Sequence, residues 1–290
     1  MAEAKCVWDL GATLGEGPIW DAAEGAVYFV DIKGDSVHRY IPQTGATQTW
    51  RMGQKICSVT RRAQGGFVAT TRHGFALLDL DAREVDIFAD IEFGNPEIRF
   101  NDAKADAQGR LWAGTMDDSE SGEKSGVLYS LDVNHSWRVM DGGYGVTNGP
   151  AFGIGGKTMY HTDSPARTVY AFDVDAAGDI SNKRVFIKFG DDDGYPDGMT
   201  VDAQGYLWVA HYRGWRVSRF SPDGQLDRAI ALPVAQVTSC VFGGPELNTL
   251  YVTSATQTLN AEELRDQPLA GGLFEIPLGI QGLPSATFAG

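Results

Sequence analysis

Four side chains that could act together on one small molecule stand far apart in this chain: Glu16, Asn101, Asn148 and Asp197. Two are carboxylates, able to bind a cation or move a proton. Two are carboxamides, each offering an oxygen acceptor and N–H donors. Their contexts match. Each opens a short apolar strand that leads through a turn into a second, alternating strand, Ser58 and Ser239 open two more such phrases, and all six openers are expected to converge on one ring. Successive openers, from Glu16 through Ser58, Asn101, Asn148 and Asp197 to Ser239, lie 42, 43, 47, 49 and 42 residues apart. Oxygen-bearing groups facing one point repel each other or need a cation, and a hard divalent ion would satisfy them. A channel lined this way could also hold only water. On the residues alone both readings stand.

The elements that must bring these residues together are legible in one repeated phrase. The core of Asn101-Asp-Ala-Lys-Ala-Asp-Ala-Gln-Gly-Arg-Leu-Trp-Ala-Gly-Thr, its Asp-Ala-Gln-Gly turn and Leu-Trp pair, returns at the same spacing in Asp197-Gly-Met-Thr-Val-Asp-Ala-Gln-Gly-Tyr-Leu-Trp-Val-Ala-His. Short apolar strand, glycine turn and alternating strand, repeated at this period, are the grammar of a four-stranded propeller blade. Six copies predict an all-β, six-bladed propeller forming a single domain over residues 1–290. A β-sandwich would not account for six copies of one phrase. The strand Lys5–Leu10 has no repeat of its own and is expected to join blade six from outside, tying the ends together. Asn260 and Glu263 form an N-cap pair that predicts one short helix.

Composition narrows the function. With 43% hydrophobic residues and 36 glycines among 290, the chain can bury a full core and turn often. No apolar run is long enough to cross a membrane as a helix. A net charge of −14 without a basic block argues against nucleic acid as a partner. The first residues lack the apolar stretch of a signal peptide. Cys6, Cys57 and Cys240 are odd in number and widely spaced. Reduced thiols and a cytoplasmic location are therefore expected. There is no Gly-x-Ser-x-Gly elbow, no His-Glu-x-x-His pair and no phosphate loop. His161 and His211 read as packed or hydrogen-bonded groups, not ligands. Arg99 is expected on the loop entering blade three, over the channel mouth or in a surface ion pair. The polar segment from Asp117 to Gly126 suits either a flap or a plain solvated loop.

Taken together, Leu14-Gly-Glu-Gly-Pro-Ile-Trp20, Arg99-Phe-Asn-Asp102, Gly109-Arg-Leu-Trp-Ala-Gly-Thr-Met116, Thr147-Asn-Gly-Pro150, Pro196-Asp-Gly-Met199 and Thr238-Ser-Cys-Val-Phe-Gly-Gly244 resemble the SMP30/gluconolactonase family of sugar lactonases. The resemblance runs over almost the whole chain and implies a propeller with one divalent metal ion (Ca²⁺, Zn²⁺, Mn²⁺, Mg²⁺ or Fe²⁺) at its axis. It implies Glu16, Asn148 and Asp197 as metal ligands, Asp197 also as acid and base, and Arg99 and Asn101 as substrate-holding residues. Some members use an acidic residue just after the Gly-Thr-Met phrase. Here Asp117-Asp-Ser-Glu120 occupies that place, with the register unassigned. The implied activity is metal-dependent hydrolysis of a sugar lactone to the aldonate by a monomer or weak oligomer. A phosphotriesterase or other esterase on the same scaffold is one alternative, and a metal-binding protein without turnover is another.

Overall fold

A computed structural model describes residues 3–290. These form six four-stranded antiparallel sheets. The innermost strands are Gly15–Asp21, Ile56–Arg61, Ile98–Ala105, Thr147–Phe152, Tyr195–Val201 and Val237–Gly243 in blades one to six. Each packs against the innermost strand of the next blade, and that of blade six returns to blade one. The fold is a closed six-bladed β-propeller, as the repeat predicts. Its apolar clusters straddle neighbouring blades. Trp208, Val217, Phe242 and Phe274, for example, join blades five and six. No blade could bury its faces alone, so closure is what removes them from water.

The repeated phrase has a physical reading. In blade three, Asp106 accepts the N–H groups of Gln108 and Arg110 on one oxygen, at 2.9 and 3.0 Å. Its other oxygen takes the indole N–H of the fully buried Trp112 at 2.9 Å. Blade five repeats this with Asp202, Gln204, Tyr206 and Trp208 at 2.9, 3.0 and 3.0 Å. Gly109 and Gly205 both sit at φ 83°, where a side chain would be strained. The conserved wording within the chain thus builds a hairpin and satisfies a buried tryptophan. It does no chemistry.

Lys5–Trp8 pairs antiparallel with Leu273–Pro277 as the outer strand of blade six, as expected. The helix Ala261–Asp266 forms with its Asn260–Glu263 capping box. The segment after residue 277 gave no signal in the sequence. It crosses the end of the propeller remote from Glu16 and Asp197. There Gly282 donates to Leu247 O at 2.7 Å, Phe288 to Arg61 O at 2.8 Å and Ala289 to Gly109 O at 3.0 Å. Among the described residues no helix is long and apolar enough to cross a membrane.

One expectation about the elements needs correction. Arg99 lies inside the innermost strand of blade three, not on the loop before it, and only 2% of it is exposed. The surface ion pair is therefore ruled out, because its charge is paired in the interior.

Candidate active site

The pairing between first and second strands breaks register in every blade, but not in the same place. In blades one, three, four and five the break spans Glu16–Ile19, Phe100–Ala103, Asn148–Ala151 and Pro196–Met199. In blades two and six it comes before the opener, at Ile56–Ser58 and Val237–Ser239. A bulge re-aims the side chain it carries. Accordingly Glu16, Asn101, Asn148 and Asp197 line one cavity of about 630 Å³ at the mouth of the channel. Ser58 and Ser239 do not. Ser58 Oγ bonds Thr70 Oγ1 at 2.6 Å. Ser239 is packed against Gly198, where an added Cβ would meet its Oγ at 2.1 Å. Of the six expected openers, four form the site.

A directed chain of hydrogen bonds fixes their orientation. Arg99 Nη1 donates to Asn101 Oδ1 at 2.8 Å, and Asn101 Nδ2 donates to Asn148 Oδ1 at 2.9 Å. Asn148 Nδ2 donates to Ser164 Oγ at 2.9 Å, which donates to Pro196 O at 2.7 Å. A guanidinium can only donate, so Arg99 at the head dictates which way both carboxamides face. Arg99 is itself held by Asp118, whose Oδ1 accepts from Nε at 2.5 Å. Lys33 Nζ reaches the same oxygen at 2.6 Å and Lys55 reaches Oδ2 at 3.9 Å. Burial opposes ionisation of Asp118, but the charge of Arg99 and then the Lys33 bond bring its carboxyl down to about 2.

Glu16 and Asp197 are buried beside each other within hydrogen-bonding reach. Glu16 Oε2 accepts from Gly17 N and Asp197 Oδ1 from Gly198 N, each at 2.9 Å. Burial, and then neighbouring negative charge, raises both carboxyls above their ordinary range. For Asp197 the neighbours are Glu16 and Asp102, and for Glu16 it is Asp102. Two buried carboxylates this close keep a proton between them or share a cation. Asn148, its oxygen oriented by Asn101, lines the same cavity, and an all-oxygen donor set of Glu16, Asn148 and Asp197 fits the chemistry of a hard divalent ion. Among the described residues no cluster of three His, Cys, Asp or Glu side chains offers an alternative metal centre.

Sequence reasoning missed Asp102. It accepts Gly149 N at 2.9 Å and Ala103 N at 2.8 Å, and so ties blade three to the residue following Asn148. Burial, only partly offset by Lys104, raises its carboxyl to about 6. A signal was available. The openers of blades one, four and five are followed by glycine, whereas Asn101 is followed by an acid. The acidic run after Met116 also divides its tasks. Asp117 caps its own hairpin through Ser119 at 2.7 Å and through Ser121, Asp118 holds Arg99, and Glu120 reaches the cavity. His161 is packed and has no hydrogen-bond partner, and His211 Nδ1 bonds Asp193 O at 2.7 Å. Neither lines the cavity.

Residues 14–256 match the family described as SMP-30/Gluconolactonase/LRE-like region. The chain belongs to that family. As an SMP-30/gluconolactonase member it is 38% identical to regucalcin of Oryctolagus cuniculus, over 99% of this chain and 98% of the relative. It is 36% identical to a 6-deoxy-6-sulfogluconolactonase of Pseudomonas putida over the same shares of each. Its fold is similar to that of a luciferin-regenerating enzyme, with a TM-score of 0.92 and 30% identity over 100% of both chains.

Proposed function

We propose that this protein hydrolyses the ester bond of a sugar lactone with a divalent ion held by Glu16, Asn148 and Asp197. The observation that carries the reading is the buried Glu16–Asp197 pair in one cavity with an Asn148 carboxamide whose direction is set from Arg99. Family membership, and a relative whose name is that of a lactonase, support the substrate class. When bound, the ion supplies Lewis-acid polarisation of the lactone carbonyl. Asp197 takes a proton from the attacking water and returns one to the leaving ring oxygen. Arg99 and Asn101 orient the substrate's hydroxyls and carbonyl, which lowers the entropic cost of reaching the reactive geometry. The Lys33–Asp118–Arg99 cluster keeps that guanidinium in place.

We further propose that the chain works as one domain, as a monomer or weak oligomer, in the cytoplasm. Three free cysteines support the location. The test of function is steady-state hydrolysis of a panel of pentono-, hexono- and deoxy-sugar lactones beside paraoxon-type esters, with and without EDTA. Lactone turnover abolished by EDTA and restored by a divalent ion is the expected result. Faster turnover of the phosphotriester would transfer the site to that chemistry. Metal binding with no turnover of any ester would make it a binding protein.

A further inference from the structure

The ligands that blades four and five would give to the ion are weakly supported by their own sheets. In blade five the pairing of the first and second strands lapses between Pro196 and Met199, so the backbone of Asp197 lies outside the regular ladder. Pro196, just before it, has no N–H to donate. In blade four the pairing lapses directly after Asn148, between Asn148 and Ala151. A bulge re-aims a side chain by giving up ladder bonds that would otherwise hold the backbone. Some other group must then fix these two residues relative to each other.

Blade three steadies Asn148 from one side. Asn101 Nδ2 donates to Thr147 O at 2.8 Å and Gly149 N donates to Asp102 Oδ2 at 2.9 Å, so the residues before and after Asn148 are both tied down. Neither bond reaches blade five. Ser164 does. It follows the second strand of blade four, Thr158–Asp163, and its N–H donates to Val146 O at 3.0 Å, which seats it beside the strand carrying Asn148. Its buried hydroxyl accepts from Asn148 Nδ2 at 2.9 Å and donates to Pro196 O at 2.7 Å. That carbonyl belongs to the peptide unit whose nitrogen is Asp197 N.

The direction of these bonds is forced. A hydroxyl has one hydrogen and a carbonyl can only accept, so the hydrogen goes to Pro196 and the oxygen is left to accept from Asn148. The Asn148 carboxamide is therefore oriented from blade five as well as from Arg99. A flipped amide would set Nδ2 against Asn101 Nδ2, donor to donor, and Oδ1 against a hydroxyl whose hydrogen is already committed. As it stands, Asn148 Oδ1 takes one bond from Asn101 and keeps a second lone pair free.

We propose that Ser164 is a positioning residue of the ion site: its hydroxyl holds the Asn148 carboxamide and the Pro196–Asp197 peptide in fixed relation, so that two blades present their oxygens as a preset pair. The inference rests on the ligand set of the reading above. Groups already held in the bound arrangement lose less freedom when the ion arrives, so the hydroxyl acts on affinity.

The test uses the full chain stripped of metal, titrated calorimetrically with Ca²⁺ and with Mn²⁺, and amide exchange on the same metal-free samples. Ser164→Ala leaves Asn148 Nδ2 and Pro196 O without their partner. It should raise Kd about tenfold for both ions, the scale of one lost hydrogen bond, and speed exchange at residues 195–199 more than in the rest of blade five. Ser164→Thr keeps the hydroxyl and should stay within about threefold of wild type in Kd, with wild-type exchange. An unchanged Kd in Ser164→Ala would overturn the proposal. So would equal weakening in the Ala and Thr variants, since the hydroxyl would then not be what matters. A weaker Kd without faster exchange at 195–199 would overturn the link to Asp197. A wild-type protein that binds neither ion would overturn the ion reading and the effect on affinity with it, while the exchange comparison would still decide whether Ser164 fixes the strand of Asp197.

Discussion

Arg99 shows how one residue can set the chemistry of others it does not resemble. Its charge is fixed by Asp118, and its donors fix Asn101, which in turn fixes Asn148. The sequence brings Glu16, Asn101, Asn148 and Asp197 toward one place, since equivalent positions of a repeat converge at a propeller axis, and these four and Arg99 line one cavity. It could not reveal the direction of the amide chain, which depends on contacts between blades. Nor could it separate Asp117, Asp118 and Glu120, because three neighbouring acids in a hairpin look alike until the turn geometry sends each a different way. At this scale the prediction concerns Glu16. Glu16→Gln removes one of two charges from the proposed ion site, so divalent binding should weaken at least tenfold and the metal-induced rise in Tm should shrink with it. Calorimetric titration and thermal melts with and without added ion measure both. An unchanged affinity would remove Glu16 from the ligand set.

The bulge is the element that converts a structural repeat into a site. Four innermost strands slip register just at or after their opener, and the two carrying serine slip before it. Spacing alone could not tell these apart, which is why Ser58 and Ser239 read as members of the ring. The glycines after Glu16, Asn148 and Asp197 were visible in the sequence, and one of them is there for lack of room. An alanine Cβ at position 198 would lie 2.1 Å from Ser239 Oγ and 3.0 Å from its backbone Cα. Because the nearest strand cannot move away cheaply, Gly198→Ala should cost about 1–3 kcal/mol of stability and displace Asp197. Chemical denaturation should show the loss. Lactone turnover should fall further than stability explains, and a variant as stable and active as wild type would mean that the bulge tolerates a side chain.

At the scale of the whole molecule, closure and acid sensitivity go together. Lys5–Trp8 locks onto Leu273–Pro277, so the ring that buries the blade faces is completed by both ends of the described chain. Burial within those faces also pushes the histidines down, His161 to about 3 and His38 and His211 to about 4. Unfolded, each takes a proton near the usual 6.5. Folded, each resists it. The unfolded state therefore binds more protons as pH falls below about 6.5. Stability that is full above that value should drain away towards the folded values, by up to about 1.4 kcal/mol per pH unit for each group. His161→Leu should flatten the pH dependence of Tm between about 6.5 and 3.5, whatever it does to stability at neutral pH. An identical slope in the variant would show that His161 is protonated in the native state.

The central claim is that Asp197 both holds the ion and carries the proton, and one variant separates the two tasks. In Asp197→Asn a carboxamide oxygen can still coordinate, but it cannot take a proton from water. Metal content and sugar-lactone hydrolysis, followed by acid release on matched samples and corrected for spontaneous ring opening, should be measured together. The predicted result is retained metal with kcat lowered roughly 10²–10⁴-fold, the scale of general acid–base catalysis. Metal retained with hydrolysis near the wild-type rate would contradict it.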